Sequence, residues 1–421
     1  MWALFGGWVV LLISSMPITF TILITSVVYM LLHGGIMMAA QRAVAGVNSF
    51  TLLAIPFFIL SGNLMNVTGI TDRIFKFAKS MVGHIPGGLG HVNILASLLF
   101  SGMSGSAHAD AGGLGKIEIQ AMRDDGYDDG FSGAITASSS VVGPLMPPSI
   151  PMVIYGAIAS VSVGKLFMGG IIPAILCSGS LMIMVYFIAK KRNYKVYPKM
   201  SFQERIVSFF HAFPALMTPV IIIAGIFSGI FTPTEAAAVT SLYALILGTF
   251  VYKSFDLKKL RGVLQDTISS TVVIGFLMLS ISLIGYVLAR EQIPQKISMF
   301  FVTYTSNPII FLLSVNVLLL ILGTFIETMA IILLVIPLLV PVAISLGIDP
   351  VHFGVVVVMN MMIGILTPPM GVSLFVVAKV GDIPFPLLAK SIIPFIIPLF
   401  IVLVLLMLVP EIVMFLPSLM G

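Results

Sequence analysis

Gly143-Pro144-Leu145-Met146-Pro147-Pro148-Ser149 and Gly364-Ile365-Leu366-Thr367-Pro368-Pro369-Met370 stand 221 positions apart in a chain of 421 residues. Each interrupts an apolar stretch long enough to cross a bilayer, 131–161 for the first and 350–378 for the second. Tandem prolines remove two amide donors and free the carbonyls one turn earlier. In lipid such carbonyls cost several kcal/mol each unless something satisfies them. One break of this kind reads as a packing kink repaired by Ser and Thr. Two at matching positions read as a binding site.

The offset of 221 holds without a gap from Gly102 to Pro173. Gly102 meets Gly323, Gly126 meets Gly347, Asp128 meets Asp349, Gly133 meets Gly354, and Ile171-Ile172-Pro173 meets Ile392-Ile393-Pro394. Any single pair is weak in Gly-rich apolar sequence; the ungapped set marks an internal repeat.

Composition places that repeat in a membrane. Charged residues make up 9% of the chain against 59% hydrophobic, and the mean hydropathy is +1.15. A soluble domain carries about 25% charged residues, and disorder requires low hydrophobicity, so both classes are excluded. The net charge of +5 comes from basic residues in short loops between apolar runs, which make no nucleic-acid-binding face. The single cysteine, Cys177, excludes a disulfide framework and a Cys-ligated metal. Met1-Trp2-Ala3-Leu4-Phe5 has no basic leader region and reads as a retained membrane segment.

Further spans are expected over 50–66, 166–189, 212–229, 234–252, 264–289 and 385–409. The stretch 2–32, broken at Pro17, reads as one tilted span or two short ones. Stretches 88–121 and 307–345 are apolar yet interrupted near their middles, and each reads as a re-entrant hairpin. With both hairpins re-entrant, seventeen Lys and Arg fall on one side, which is then cytoplasmic, and only Arg42, Lys165, Arg290 and Lys296 fall on the other. Five spans separate the hairpins. Because five is odd, the second hairpin enters from the opposite face, and the two halves are inverted repeats, as in secondary transporters. The fold class is an all-α polytopic membrane protein with inverted repeats, two re-entrant helical hairpins and two broken transmembrane helices.

The hairpins turn at Ser101-Gly102-Met103-Ser104-Gly105-Ser106 and near Gly323-Thr324-Phe325-Ile326-Glu327. Freed carbonyls and hydroxyls beside these turns suit a hard monovalent cation such as sodium. Amide donors at the starts of the half-helices after each break suit a carboxylate. Asp110 and Glu327 are intramembrane acids, for which a local cap competes with a functional role. Ser138 and Ser139, in a run of hydroxyls before the first break, are ligand candidates or helix–helix hydrogen-bond partners, and Ser106 and Asn360, 221 beyond Ser139, complete the substrate-binding candidates. Gly102-Met103-Ser104-Gly105 also matches a short string of intramembrane serine proteases, but His108 only four residues on is no substitute for a base oriented from another helix. An enzyme is therefore not expected. An ion channel or a scaffold without transport is the alternative class.

Leu53-Ala54-Ile55-Pro56-Phe57-Phe58, Ser104-Gly105-Ser106-Ala107, Pro147-Pro148-Ser149-Ile150-Pro151, Phe231-Thr232-Pro233-Thr234-Glu235-Ala236 and Thr367-Pro368-Pro369 together resemble the large membrane subunit of tripartite ATP-independent periplasmic (TRAP) transporters. The resemblance runs over essentially the full chain. It implies an elevator-type, sodium-driven importer of an organic anion in the bacterial inner membrane, with Na+ as coupling ion and no organic cofactor. The implied partners are a small four-helix membrane subunit and a periplasmic substrate-binding protein. One sodium site would map to Ser101, Ser104, Gly143, Met146 and Pro148, and the second to Gly323, Gly364, Thr367 and Met370. Residues 1–66 and 190–289 would be scaffold, 67–87 and 290–306 connecting arms, and 88–189 and 307–421 the two repeats of the transport body. The return arm Ala111-Gly112-Gly113-Leu114-Gly115-Lys116-Ile117-Glu118 is richer in Gly and charge than the family's commoner apolar version, which points to sialic acid or another sugar acid, with C4-dicarboxylates as the other candidates.

Overall fold

The computed structural model describes residues 6–8, 10, 11, 14 and 16–420, and all regular structure among them is helical. The reading of 2–32 as one or two spans falls largely outside the described residues; its second half is helix α1 (Ile18–Leu32), which begins directly after Pro17. The chain continues through α2 (Ala39–Val47), α3 (Ala54–Val67) and α4 (Ile70–Val82). The first repeat comprises α5 (Gly88–Ser104), α6 (Ala107–Gly113), α7 (Gly115–Asp124), α8 (Asp129–Ser140), α9 (Ile150–Ala159) and α10 (Val163–Arg192). Next come α11 (Phe202–Phe227), α12 (Pro233–Ile246, prolonged by a π turn over Leu247–Val251), α13 (Leu257–Arg290) and α14 (Ile293–Tyr304). The second repeat holds α15 (Pro308–Phe325), α16 (Thr328–Ser345), α17 (Pro350–Gly364), α18 (Val372–Gly381), α19 (Phe385–Ser391) and α20 (Ile393–Leu408), followed by α21 (Glu411–Ser418).

The repeat seen in sequence is a repeat of helix boundaries. Asp128 and Asp349 cap α8 and α17, Asp128 Oδ1 accepting from Phe131 N at 2.9 Å and Asp349 Oδ1 from Val351 N at 2.7 Å. Each cap follows a left-handed turn, at Gly126 (φ +82°) and Gly347 (φ +76°), a conformation open to glycine at no steric cost. Pro147–Pro148 and Pro368–Pro369 are both cis. The conserved offset is thus turn, cap, helix, break, helix.

Several spans differ from the sequence reading at their ends. The span expected over 264–289 is the 34-residue α13, because Asp256 caps it early, with Oδ1 accepting from Lys259 N at 2.7 Å. The span expected over 212–229 starts at Phe202, where Ser201 and Glu204 form a reciprocal capping box. The span 385–409 is two helices bent by 45° around Ile392. The return arm of the first hairpin is itself divided at Leu114 into α6 and α7.

The halves interlock. The half-helix after each break packs on the return arm of the other repeat's hairpin, α9 on α16 and α18 on α6 and α7. Tyr155 of α9 seals this exchange, its Oη donating to Pro350 O at 2.7 Å while its ring lies where a methyl group on Gly354 would be. Helices α1, α2 and α3 pack on α13, and α12 packs on α3, as a second group around this double repeat. Beyond the end of α10, Tyr197 Oη donates to Asp125 Oδ1 at 2.5 Å, a bond that pushes the phenol up to about 12.

Candidate functional site

Helix α5 ends at Ser104, and Gly105 turns the chain at the first tip. A methyl group on Gly105 would sit 2.3 Å from the Pro148 carbonyl, so the tip lies directly on the first break. Gly143 approaches from the other side, its missing methyl 3.3 Å from Ser101 Oγ. Ser101 Oγ donates to Ser97 O at 2.5 Å, whereas Ser104 Oγ is buried without a hydrogen-bond partner among the described residues. Within the break, Met146 N donates to Gly143 O at 3.1 Å, and the carbonyls of Met146, Pro147 and Pro148 accept no hydrogen bond among the described residues. The five positions of the first expected sodium site therefore converge on one place. Its oxygens are neutral and underused, the donor type that a dehydrated monovalent cation requires.

The second break repeats the contact with a closer backbone approach. A methyl group on Gly364 would lie 2.9 Å from Gly323 Cα, so the tip and the broken helix touch through glycine alone. Thr367 Oγ1 donates to Ile363 O at 2.8 Å, and the carbonyls of Thr367, Pro368 and Pro369 accept no hydrogen bond among the described residues. Met370 is 46% exposed, so this break is more open than the first. The amides at the starts of the two half-helices, expected to be free for a carboxylate, are partly engaged by the tips. Ile150 N donates to Gly105 O at 3.5 Å and Gly371 N to Thr324 O at 3.3 Å.

Both tips open onto one cavity of about 640 Å³. Ser104, Ser106, His108, Ala109 and Ile150 form its wall on the first repeat, and Glu327, Met329 and Ala330 on the second. The opposite wall is Thr19 of α1, Gly62 and Asn63 of α3, and Ser269, Ser270 and Val273 of α13. Val273 is at the middle of the 34-residue α13. The two arms of the second hairpin are 18 residues each, about 27 Å, and Glu327 between them lines the cavity, as Ser106 does after the first tip.

The substrate candidates separate into two groups. Ser106 and Glu327 line the cavity. Asp110, Ser138, Ser139 and Asn360 are buried behind its wall. Ser138 Oγ donates to Ala134 O at 2.8 Å, and the two carboxylate oxygens of Asp110 have no partner among the described residues. Ser139 Oγ donates to Asn93 Oδ1 at 2.6 Å, and Asn360 Nδ2 donates to Asn316 Oδ1 at 2.6 Å. Both pairs tie a broken helix to the entering arm of its own hairpin, so Asn360 serves the hairpin interface and not the cavity it was expected to face. Ser104 and His108 share the wall, but Ser104 Oγ and His108 Nδ1 each lack a partner among the described residues, so the two do not form a nucleophile–base pair.

Sequence reading missed the far wall. Asn63, whose Nδ2 donates to Thr267 Oγ1 at 3.1 Å, is an amide inside an apolar span, and Ser269-Ser270 break the apolar face of α13 near its middle. Those polar interruptions were the available signal.

The chain matches the family described as tripartite ATP-independent periplasmic transporter, DctM component, over residues 5–412. It is 54% identical over 415 residues to a sialic acid TRAP transporter large permease protein of Vibrio cholerae, covering 98% of this chain and 97% of that one. It is 48% identical to a sialic acid TRAP transporter permease protein of Haemophilus influenzae, covering 98% of this chain and 67% of that longer protein. Identity to a C4-dicarboxylate TRAP transporter large permease protein of Pseudomonas aeruginosa is 40%, over 88% of this chain and 87% of that one. Among solved structures, the Alcanivorax borkumensis YdaH transporter shares the fold at a TM-score of 0.66 and 13% identity, over 90% of this chain and 89% of that one. The chain belongs to the TRAP transporters as their large permease component, a multi-pass bacterial inner-membrane protein that moves organic acids by secondary transport and is not an enzyme.

Proposed function

We propose that this permease imports a sugar acid, sialic acid first among the candidates, coupled to sodium and by an elevator movement of the double repeat against the outer helices. The periplasmic binding protein delivers the substrate, and the small four-helix subunit completes the membrane complex. The observation that carries the reading is the shared cavity. Two re-entrant tips and the midpoint of α13 bound one ligand-sized space, of a volume usual for small-molecule sites. Its largely apolar wall carries five hydroxyls and one amide, from Thr19, Ser104, Ser106, Ser269, Ser270 and Asn63, which suits a polyhydroxylated acid better than a bare dicarboxylate. Higher identity to the two permeases named for sialic acid than to the one named for C4-dicarboxylates supports the same choice. Neutral oxygens at Ser101, Ser104, Gly143, Met146 and Pro148, and at Gly323, Gly364, Thr367 and Met370, are the proposed sodium ligands.

The test is uptake of labelled sialic acid into proteoliposomes holding this chain, its small subunit and the binding protein. An imposed inward sodium gradient should drive accumulation, and an imposed proton gradient in sodium-free buffer should not. Accumulation on protons alone would remove both sodium sites. Sodium-driven uptake of a C4-dicarboxylate in place of sialic acid would reassign the substrate and leave the coupling standing.

A further inference from the structure

On the cytoplasmic side, α4 lies against the first turns of α11, with Phe77 and Phe209 in ring contact at 5.8 Å. Between the two helices is a cleft of about 520 Å³ lined by Arg73, Lys76, Gln203, Val207, Ser208 and His211, and by Glu204. Arg73 is held in place: its guanidinium lies 3.8 Å from the ring centroid of Tyr252, and Nη1 donates to Thr68 O at 3.4 Å. The remaining guanidinium donors are left for a ligand. Lys76 is exposed and has no hydrogen-bond or ion-pair partner among the described residues. Lys79, by contrast, is committed to the ring of Tyr197 at 4.8 Å. Glu204 keeps its charge at the cleft but forms no ion pair with Arg73 or Lys76 among the described residues, its Oε2 accepting instead from Ser201 N at 2.7 Å and Ser201 Oγ at 2.8 Å. Below the cleft, toward the bilayer, α11 presents Val207, Phe210 and Phe213, exposed by 50%, 66% and 42%.

A two-cation cleft at the membrane surface, continuous with an exposed apolar helix face, has the two-part chemistry of a phospholipid. We propose that this cleft binds an anionic phospholipid of the inner leaflet, its phosphodiester between Arg73 and Lys76 and its acyl chains along Val207 and Phe210. Such a lipid bridges α4, which connects to the first hairpin, with α11, so it would hold this connecting helix at the bilayer surface. The site is separate from the cavity between the two tips and does not rest on the proposed substrate or coupling ion.

The experiment is native mass spectrometry of the delipidated full-length chain titrated with palmitoyl-oleoyl phosphatidylglycerol and with the matching phosphatidylcholine. Two basic contacts predict a preference for the anionic lipid of about thirtyfold. Arg73→Gln with Lys76→Gln should reduce it to about twofold or less, whereas Lys199→Gln, an exposed cation outside the cleft, should leave it unchanged. Should the double variant fold poorly, Lys76→Gln alone, at an exposed position, should still lower the preference by about fivefold. Equal retention of the two lipids by the unaltered chain, or an undiminished preference in the variants, would overturn the proposal. So would displacement of the lipid by soluble glycerol phosphate, which would make the cleft a site for a free anion.

Discussion

Ser106 and Glu327 stand at the same place in the two repeats, 221 positions apart, and each caps the helix that leaves its hairpin tip while lining the same cavity. Ser106 Oγ accepts from Ala109 N at 3.4 Å, and Glu327 Oε2 accepts from Met329 N at 2.8 Å and Ala330 N at 3.3 Å. The repeat has kept the cap and changed its chemistry, so one wall of the cavity carries a carboxylate and the other a hydroxyl. Substitution can separate the two roles. Ser106→Ala and Glu327→Ala should each lower stability by about 1 kcal/mol through the lost cap. Ser106→Asp keeps the cap, since Asp and Ser cap about equally, but sets a second carboxylate on the wall. Thermal stability should then stay near that of the unaltered chain, while apparent affinity for an anionic substrate falls at least about tenfold by like-charge repulsion. Unchanged uptake by this variant would place the substrate elsewhere.

The glycine contacts at the tips give a graded series. Gly364→Ala would drive a methyl group to 2.9 Å from Gly323 Cα, and Gly105→Ala to 2.3 Å from the Pro148 carbonyl. Backbone cannot yield cheaply at either place, so each should cost about 1–3 kcal/mol and abolish sodium-dependent uptake. Gly112, about two turns further along the first hairpin's return arm, has nothing within 4 Å of its missing methyl. Gly112→Ala should be neutral or stabilising by up to about 1 kcal/mol. Thermal unfolding in detergent and uptake measured together would check the order. Equal losses at all three positions would mean that tip contact is not what matters.

Ser101 and Ser104 differ in how far their hydroxyls are used, and sodium dependence should follow that difference. Ser101 Oγ already donates to Ser97 O, which leaves its lone pairs for a cation, while Ser104 Oγ has no partner among the described residues. Ser104→Ala should therefore lower apparent sodium affinity with little change in stability, whereas Ser101→Ala should lower both. The measurement is uptake rate against sodium concentration, with thermal stability as the control. Full sodium dependence in both variants would dismiss the two hydroxyls as ligands.

What could be read from the sequence is what repeats or punctuates. Pro147-Pro148 and Pro368-Pro369 announce the breaks, and Asp128 and Asp349 the caps, because each acts locally through backbone geometry. Convergence in space was readable only where the repeat placed two tips together, as at Ser106 and Glu327. Thr19, Asn63, Ser269 and Ser270 come to the same cavity from helices outside the repeat, and no periodicity links them. Ser139 and Asn360 show the opposite failure. Polar residues in an apolar helix read alike whether they face a ligand or another helix, and these two face helices.

Topology can be tested with the protein's own cysteine out of the way. Cys177 is fully buried against Met359, with Sγ 3.5 Å from its Sδ, so Cys177→Ala should remain folded at a cost of about 1–2 kcal/mol. On that background, a cysteine at Lys258 should react with an impermeant reagent only from the cytoplasmic side, and one at Ser306 only from the periplasm. Labelling of both from one side would undo the inverted repeat.

Asn316 and Asn360 decide between a structural and a ligand role for the buried amides. Asn360 Nδ2 donates to Asn316 Oδ1 at 2.6 Å and to Asn316 O at 3.0 Å, with both side chains buried between α15 and α17. Removing Asn360 leaves Asn316 Oδ1 without its donor, and removing Asn316 takes from Asn360 Nδ2 the nearer of its two acceptors, at a cost of about 1–3 kcal/mol in a dry interface. Removing both eliminates the orphan as well, so Asn316→Ala with Asn360→Ala should destabilise by less than the two single changes added together. The coupling should be about 0.5–3 kcal/mol, read from thermal or denaturant unfolding of the four proteins. A structural pair also predicts the kinetics. At temperatures where the single variants remain folded, apparent substrate affinity should stay within about twofold of the unaltered chain, because neither amide reaches the cavity wall. A selective loss of substrate affinity in Asn360→Ala, without the stability coupling, would return Asn360 to the ligand site.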